Sequence, residues 1–272
     1  MTDTTPHLPL DGNSRVEYLT PIQSIAFPDE WYEINAEEHF WFEWRARAAN
    51  AMIRRTGVPV DQPLRVLDIG CGTGITCRQL RRTTKWIFDG ADLNVDALSR
   101  CDLGAPGRIL YYDLLEKRPE FHEQYDVAIL FDVVEHIEDT RPFLEAVLYH
   151  LKPGGILLVN VPALMGLFGV YDTVAGHFRR YTLQTLAEEF APFKAAVIDQ
   201  RYWGFSMVPL LWVRKLVLRG QTDEASAIRT GFRPPSPLAH TILKGAMSLE
   251  TAVLKRPPLG SSVMTAVSKN PR

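Results

Sequence analysis

The nine residues from Val66 to Gly74, VLDIGCGTG, restrict the fold of this chain more than any other stretch. A short apolar run, Arg65 to Ile69, ends in three glycines at alternate positions, Gly70, Gly72 and Gly74. The run fits a buried strand, and Ile75 to Leu80 fits the start of a helix. Glycines at such a junction allow a sharp turn and let a ligand approach bare backbone. Two acids sharpen the pattern. Asp68 lies inside the strand, and Asp92 follows a second apolar run, Trp86 to Phe88, at the place where a nucleotide-binding βαβ unit puts its ribose-binding carboxylate. A strand–turn–helix with no ligand is the plainer alternative, and the two acids weigh against it.

The rest of the chain supplies the partners of that unit. Strands are expected at 86–91, 108–112, 125–130, 156–161 and 194–201, and helices near 74–82, 94–101, 140–151 and 182–190, the last capped by Thr182. LKPGG at 151–155 reads as a helix stop. Alternation of this kind predicts a parallel sheet with helices on both faces. Ligands of such sheets gather at the carboxyl ends of the strands, which here carry Asp68, Asp92, Asp113, Asp132 and Asn160.

Both ends of the chain depart from the alternation. Residues 1–27 are polar and expected as a loose tail. Residues 28–57 predict a helix dense in aromatics and ended by Gly57 and Pro59. Phe40, Trp41 and Phe42 are consecutive and cannot share one helix face, so the segment is expected to act as a lid as well as to pack. The core is expected over 58–202 and 257–270, with 203–256 inserted before a last strand at 261–268. Within the insertion a helical stripe of Leu238, Ile242, Ala246, Leu249 and Val253 opposes Lys244, Ser248, Thr251 and Lys255. Its apolar surface fits a cap over the acceptor pocket, a homodimer face or a peripheral membrane contact. Arg214 and Lys215 are few cations for anionic lipid, which favours the first two.

Composition narrows the class. The 272 residues are 46% hydrophobic and 23% charged, enough apolar material for one α/β domain with extensions. A net charge of −2 gives no electrostatic case for nucleic acid. Cys71, Cys77 and Cys101 are odd in number and lack paired metal spacing, which suits a reducing, cytoplasmic setting. The first residues carry no basic-then-apolar leader pattern, and no apolar run is long enough to span a membrane, so the expected location is cytoplasmic, with peripheral contact at the inner face of the membrane as an extension.

Taken together, the motifs resemble the class I S-adenosylmethionine (SAM) methyltransferases, in the broad group of the ubiquinone-biosynthesis O-methyltransferases. VLDIGCGTG is similar to their first motif, GADLN to the acidic ribose loop and YYDLLE to the adenine loop. YDVAILFDVVEHIED and LKPGGILLVNVP resemble the fourth- and fifth-strand motifs. HFWFEWRAR and GHFRRYT resemble a bacterial subset found among glycan, lipid and natural-product genes. The resemblance implies an α/β, Rossmann-like sheet of seven strands with the last antiparallel, helices on both faces, an N-terminal helical lid and a helical insertion before the last strand. It also implies SAM as cofactor.

By position, the resemblance places Gly70, Cys71, Gly72 and Gly74 against SAM, with Asp68 orienting its amino end. Asp92, with Leu93 beside it, would accept from the ribose hydroxyls, and Asp113 and Leu114 would meet the adenine. Phe131 and Asp132 would border the methionine part. Arg45 is the candidate for the cofactor carboxylate, a solvated helix arginine being the equal alternative.

Methyl transfer needs alignment, exclusion of water and, for a hydroxyl acceptor, removal of a proton. His177 and His136 could take that proton. His136 also fits a structural imidazole beneath the cofactor. His177 stands with Arg179, Arg180 and Tyr181 in what reads as a substrate-facing cluster. Asp132, Glu135 and His136 resemble the acid-x-x-Glu-His metal ligands of ubiquinone-pathway and small-RNA 2′-O-methyltransferases, with His177 as a fourth. Asp stands where those enzymes carry Glu and reaches less far, so the metal-free reading is preferred.

The expected activity is O-methylation of a small, lipid-linked or glycan-linked metabolite. N- or C-methylation, and a SAM-binding protein without catalysis, are the alternatives. The polar acceptor side speaks against a pure binder. A nucleic-acid methyltransferase lacks support because no NPPY-like motif or basic domain occurs.

Overall fold

The computed structural model of the protein describes residues 15–22, 39–219 and 236–270. Its centre is a sheet of eight strands in the order β1-β4-β3-β2-β5-β6-β8-β7. Strands β2 (Arg65–Ile69), β3 (Ile87–Asp92), β4 (Ile109–Tyr111), β5 (Tyr125–Phe131) and β6 (Leu151–Pro162) are mutually parallel. The last strand in sequence, β8 (Ser262–Lys269), runs antiparallel between β6 and β7 (Ala195–Trp203).

The central strands β5 and β6 carry continuous apolar runs because both faces of the sheet are covered there. Alternate residues enter two different cores. In β5, Ala128 and Leu130 face one core while Val127, Ile129 and Phe131 face the other. In β6, Leu157, Val159 and Val161 oppose Ile156 and Leu158 in the same way. The first core is closed by α4 (Thr140–His150) and α6 (Leu183–Phe190) through Leu144, Val147, Leu186 and Phe190. The second is closed by α1 (Phe40–Thr56), α2 (Ile75–Arg81) and α3 (Val95–Ser99) through Trp44, Met52, Leu80 and Leu98. Each such side chain contributes roughly 1.5–3 kcal/mol by leaving water. Thr182 caps α6 by accepting from Thr185 N, as its position before the helix predicts. A short helix, α5 (Val170–Val174), lies between β6 and α6.

Several elements differ from the sequence expectations. Val16–Tyr18, within the segment expected as a loose tail, forms β1 and adds an eighth strand parallel to β4. Thr20 beyond it is buried, and its hydroxyl accepts from Asp113 N at 3.0 Å. The LKPGG segment does not trail α4: the helix ends at His150 and these residues already belong to β6. The helix expected from residue 28 is described from Phe40 onward, so its expected start and residues 220–235 of the insertion fall outside the described residues. One acid in the core has a purely structural role. Asp89, buried in β3, accepts from Arg65, Tyr125 and the Arg108 backbone, tying three neighbouring segments together.

The insertion is fastened at its neck. It contains α7 (Val208–Leu218) and α8 (Pro237–Val253). Buried Glu250 on α8 accepts from the backbone N–H of Gly204, Phe205 and Ser206 at 2.8–2.9 Å. Those are orphan donors at the exit from β7, and a carboxylate is a strong acceptor for them.

Candidate active site

The turn after β2 is held by geometry only glycine tolerates. Gly70 and Gly74 have φ of +70° and +80°. A Cβ on Gly70 would also lie 2.6 Å from Val133 Cγ2, and one on Gly74 would lie 2.9 Å from Asp102 O. Any side chain at either position is therefore strained twice, by dihedral and by contact. Val133 opens the single 3-10 turn that carries Glu135 and His136, so the same close approach joins the glycine turn to the imidazoles.

Three carboxylates stand at the strand ends around this turn. Asp92, at the end of β3, accepts from Gly72 N through Oδ2 and from Asn94 N through Oδ1, both at 2.8 Å. Burial pushes its carboxyl up, and the backbone donors at Gly72, Asn94 and Leu93 work against that. Each oxygen keeps a lone pair for a further donor. Asp113 accepts from Leu115 N at 2.9 Å, capping the 3-10 turn in which Leu114 is buried. Asp68 is buried, and its recorded partner is the Cys77 thiol at 3.1 Å, a weak donor. Burial drives its carboxyl up to about 7, the Cys77 and Arg45 contributions lower it, and Asp92 raises it further. Cys71 is buried in the turn itself, and Leu93, beside Asp92, packs against the second core.

Arg45 is not a solvated helix arginine. It is buried on α1, with Nη1 2.6 Å from Asp132 Oδ2 and Nη2 donating to Thr76 Oγ1 at 2.9 Å. The guanidinium lies 4.9–5.4 Å from the ring centres of Trp41, Phe42 and Phe131. Trp41 and Phe42 flank this cation, and Trp41 also packs with Trp44 against the second core. Asp132 holds φ +60°, an uncommon conformation for a residue with a side chain. It is fixed by Arg45 and by Asn160 Nδ2 at 2.8 Å, and Trp203 Nε1 in turn donates to Asn160 Oδ1 at 2.8 Å. Asn160, Thr76 and Trp203 complete a network whose members come from distant parts of the chain, and only Asn160 was marked by a strand end.

Two members of the GHFRRYT segment turn inward, while Phe178 is exposed. Tyr181 is buried in the first core and donates to Glu189 at 3.3 Å, which corrects its expected place beside the acceptor. Arg180 is buried, donating from Nε to Asp172 Oδ1 at 2.7 Å and from Nη1 to Ala163 O at 3.1 Å. Arg179 donates to Glu138 O at 2.6 Å. His177 is half-buried. Its Nδ1 lies 3.0 Å from Asp172 Oδ1, which orients the ring and leaves Nε2 on the far side. Burial would raise the Asp172 carboxyl, but hydrogen bonds from His177 and Arg180 hold it below the usual range.

His136 stands against His177, ring centres 4.7 Å apart and nearly perpendicular. Burial and His177 push His136 down to about 4, so it is neutral near pH 7. Ligand atoms of Glu135, His136 and His177 all lie within 4.8 Å of one another. Glu135 Oε2 is buried without a hydrogen-bond partner, and burial together with Asp132 pushes this carboxyl well up. Asp132, the expected first member of the metal set, is instead committed to Arg45 and Asn160, and the set reduces to one carboxylate and two imidazoles.

A glycine turn, an acid at the end of the next strand and an acid after the third, on a sheet with one antiparallel strand near its edge, define a Rossmann-like nucleoside-binding domain. The sequence model of a family described as a methyltransferase domain matches residues 36–199, more than half the chain. The protein belongs to this family, the class I SAM-dependent methyltransferases, whose cofactor is SAM. Ubiquinone biosynthesis O-methyltransferase from Brucella anthropi is 34% identical over 100 residues, 35% of this chain and 40% of that one. Its counterpart from Bradyrhizobium diazoefficiens is 33% identical over 36% of this chain and 39% of its own. The match thus spans about two fifths of the length of these relatives. Among solved structures, a putative methyltransferase from Haloferax volcanii in complex with the Trm112 activator superimposes with a TM-score of 0.57 at 15% identity, over 92% of this chain and all of that one. A putative sarcosine dimethylglycine methyltransferase from Galdieria sulphuraria gives 0.55 at 16% identity, over 84% and 85%. At such identities these likenesses show the fold alone.

Proposed function

We propose that the chain binds SAM across the carboxyl ends of β2 to β5 and transfers its methyl group to a hydroxyl of a small or lipid-linked metabolite. The observation that carries this reading is the buried Asp68 carboxyl, paired with only a thiol, beside a glycine turn and the amide-oriented Asp92. A donor set of that kind suits a ligand with an ammonium group and a ribose. When bound, SAM supplies the electrophilic methyl. Asp92 accepts from the ribose hydroxyls, Asp113 borders the adenine, and Asp68 accepts from the ammonium. Arg45, with N–H groups to spare beyond Asp132 and Thr76, meets the carboxylate under the cover of Trp41 and Phe42. That cover is the lid, and it excludes water from the transfer. His177, held by Asp172, takes the acceptor proton at Nε2. The names of the Brucella and Bradyrhizobium relatives support an oxygen acceptor. A lipid-linked acceptor and a peripheral place on the membrane are in keeping with the exposed apolar residues of α7 and α8.

A divalent ion held by Glu135, His136 and His177 is the second reading, favoured by the unpartnered Glu135 oxygen. Such an ion would orient the acceptor oxygen and favour its deprotonation. One assay tests both readings. Cell extract incubated with isotopically labelled SAM and the protein should yield a labelled, alkali-stable metabolite by mass spectrometry. Full transfer after dialysis against a chelator removes the metal, and failure to bind SAM in calorimetry removes the first reading altogether.

The ammonium role of Asp68 has a measurable consequence. A free aspartate titrates near 3.9, so the raised folded value makes the native state hold the proton more tightly. This contribution to stability is present in full below the unfolded value and is lost as pH rises through about 7. A cation against Asp68 reverses the preference. SAM binding near neutral pH should therefore release up to about one proton, seen as binding heats that vary with the ionisation enthalpy of the buffer. Asp68→Asn should abolish that variation. Heats independent of buffer in the unsubstituted protein would remove Asp68 from contact with the ammonium.

A further inference from the structure

The two insertion helices are built inside out. On α7 the charged residues face the protein: the Arg214 guanidinium lies 3.9 Å from the Tyr171 ring centre, and Lys215 Nζ donates to Gly166 O at 2.6 Å. On α8 the same holds. Lys244 pairs with Glu43 of α1 at 2.6 Å, Glu250 caps the neck, and His240 lies against Phe40. The aliphatic residues point the other way. Leu210, Val213, Leu216 and Val217 recur at helical spacing on α7 and are exposed, Leu216 by 62%. Leu238, Ile242, Leu249 and Val253 do so on α8, with exposures of 61–72%. Scattered surface leucines need no explanation, but a whole aliphatic face on each of two successive helices does.

We propose that these outward faces are a docking surface for an anionic lipid bilayer. Charge selects this occupant. Among the described residues of 204–219 and 236–260 the cations are Arg214, Lys215, Arg219, Lys244, Lys255 and Arg256, and the one carboxylate, Glu250, is buried. Arg219, Lys255 and Arg256 are exposed where the two helices end. Among the described residues, an apolar face with exposed cations and no exposed carboxylate of the insertion at its helix ends matches acyl chains beneath anionic headgroups. A second copy docked through the same face in a symmetric pair would bring like charges together. Trp212 and Phe205, both exposed, add aromatic rings of the kind that settle at the headgroup level. No helix among the described residues is long and apolar enough to cross a membrane, so the contact is interfacial. Through Tyr171, α7 packs on the helix that carries Asp172, the partner of His177, so a bilayer under α7 lies close to the acceptor side. The contact rests on the exposed faces and stands apart from the assignment of the cofactor.

Vesicle flotation of the full chain decides it. The protein should float with phosphatidylcholine vesicles that contain phosphatidylglycerol, much less with phosphatidylcholine alone, and less as salt is raised. The pair Leu216→Ser and Leu249→Ser should weaken flotation by more than about tenfold while melting temperature and SAM affinity stay unchanged. Absence of flotation with the anionic vesicles overturns the proposal, as does equal flotation of the double variant. A dimer in sedimentation that the same two substitutions dissolve would assign the surface to a second copy and overturn it as well.

Discussion

Asp92→Ala should weaken SAM binding by about 2–3 kcal/mol, roughly 30- to 150-fold, because it removes a charged acceptor shared by two hydroxyls. The carboxylate also accepts from Gly72 N and Asn94 N, so it orders the glycine turn as well as the ligand. Asp92→Asn, which keeps one carbonyl acceptor, should lose less. Calorimetric titration with SAM measures both, and thermal melting shows whether the fold is intact. Unchanged affinity in Asp92→Ala would mean that the cofactor ribose lies elsewhere.

The second large effect concerns His177. His177→Ala should lower turnover by about 10²–10⁴-fold and leave SAM affinity nearly intact, the usual range for loss of a positioned proton acceptor. Its ring is held by Asp172 of α5, and neither Asp68 nor Asp92 is among its hydrogen-bond partners. Asp172 is a less clean target. It also pairs with buried Arg180, and removing it would strand that guanidinium at a cost of about 3–5 kcal/mol. A SAM affinity that collapses together with turnover in His177→Ala would place the imidazole in the cofactor site or the fold.

The two sites of these substitutions were legible in the sequence to different degrees. Asp92 could be read because its position follows from local rules: a strand, its end and a glycine turn one strand earlier. His177 could be read only as one member of a polar heptad, GHFRRYT. Local chemistry gave no means of telling that Arg180 and Tyr181 turn inward while His177 stays half-buried against His136. That choice is made by Asp172 and Glu189, which lie on other elements.

Short-range pattern settled the alternation of strands and helices, the glycine turn and the strand-end acids, because a parallel sheet buried on both faces demands apolar runs and puts its loops at one edge. Longer-range pairing settled the rest. Asp132 leaves the metal set because Arg45, far away in sequence, arrives to neutralise it. Val16–Tyr18 is a strand because β4 offers it an edge. The stripe of α8 shows the limit most clearly. Periodicity states that Leu238, Ile242, Leu249 and Val253 share a face, but the direction of that face is set by where Lys244 and Glu250 find partners. Those partners, Glu43 and the amides at the neck, exist only once α1 and β7 have been brought beside the helix, and they turn the apolar face outward.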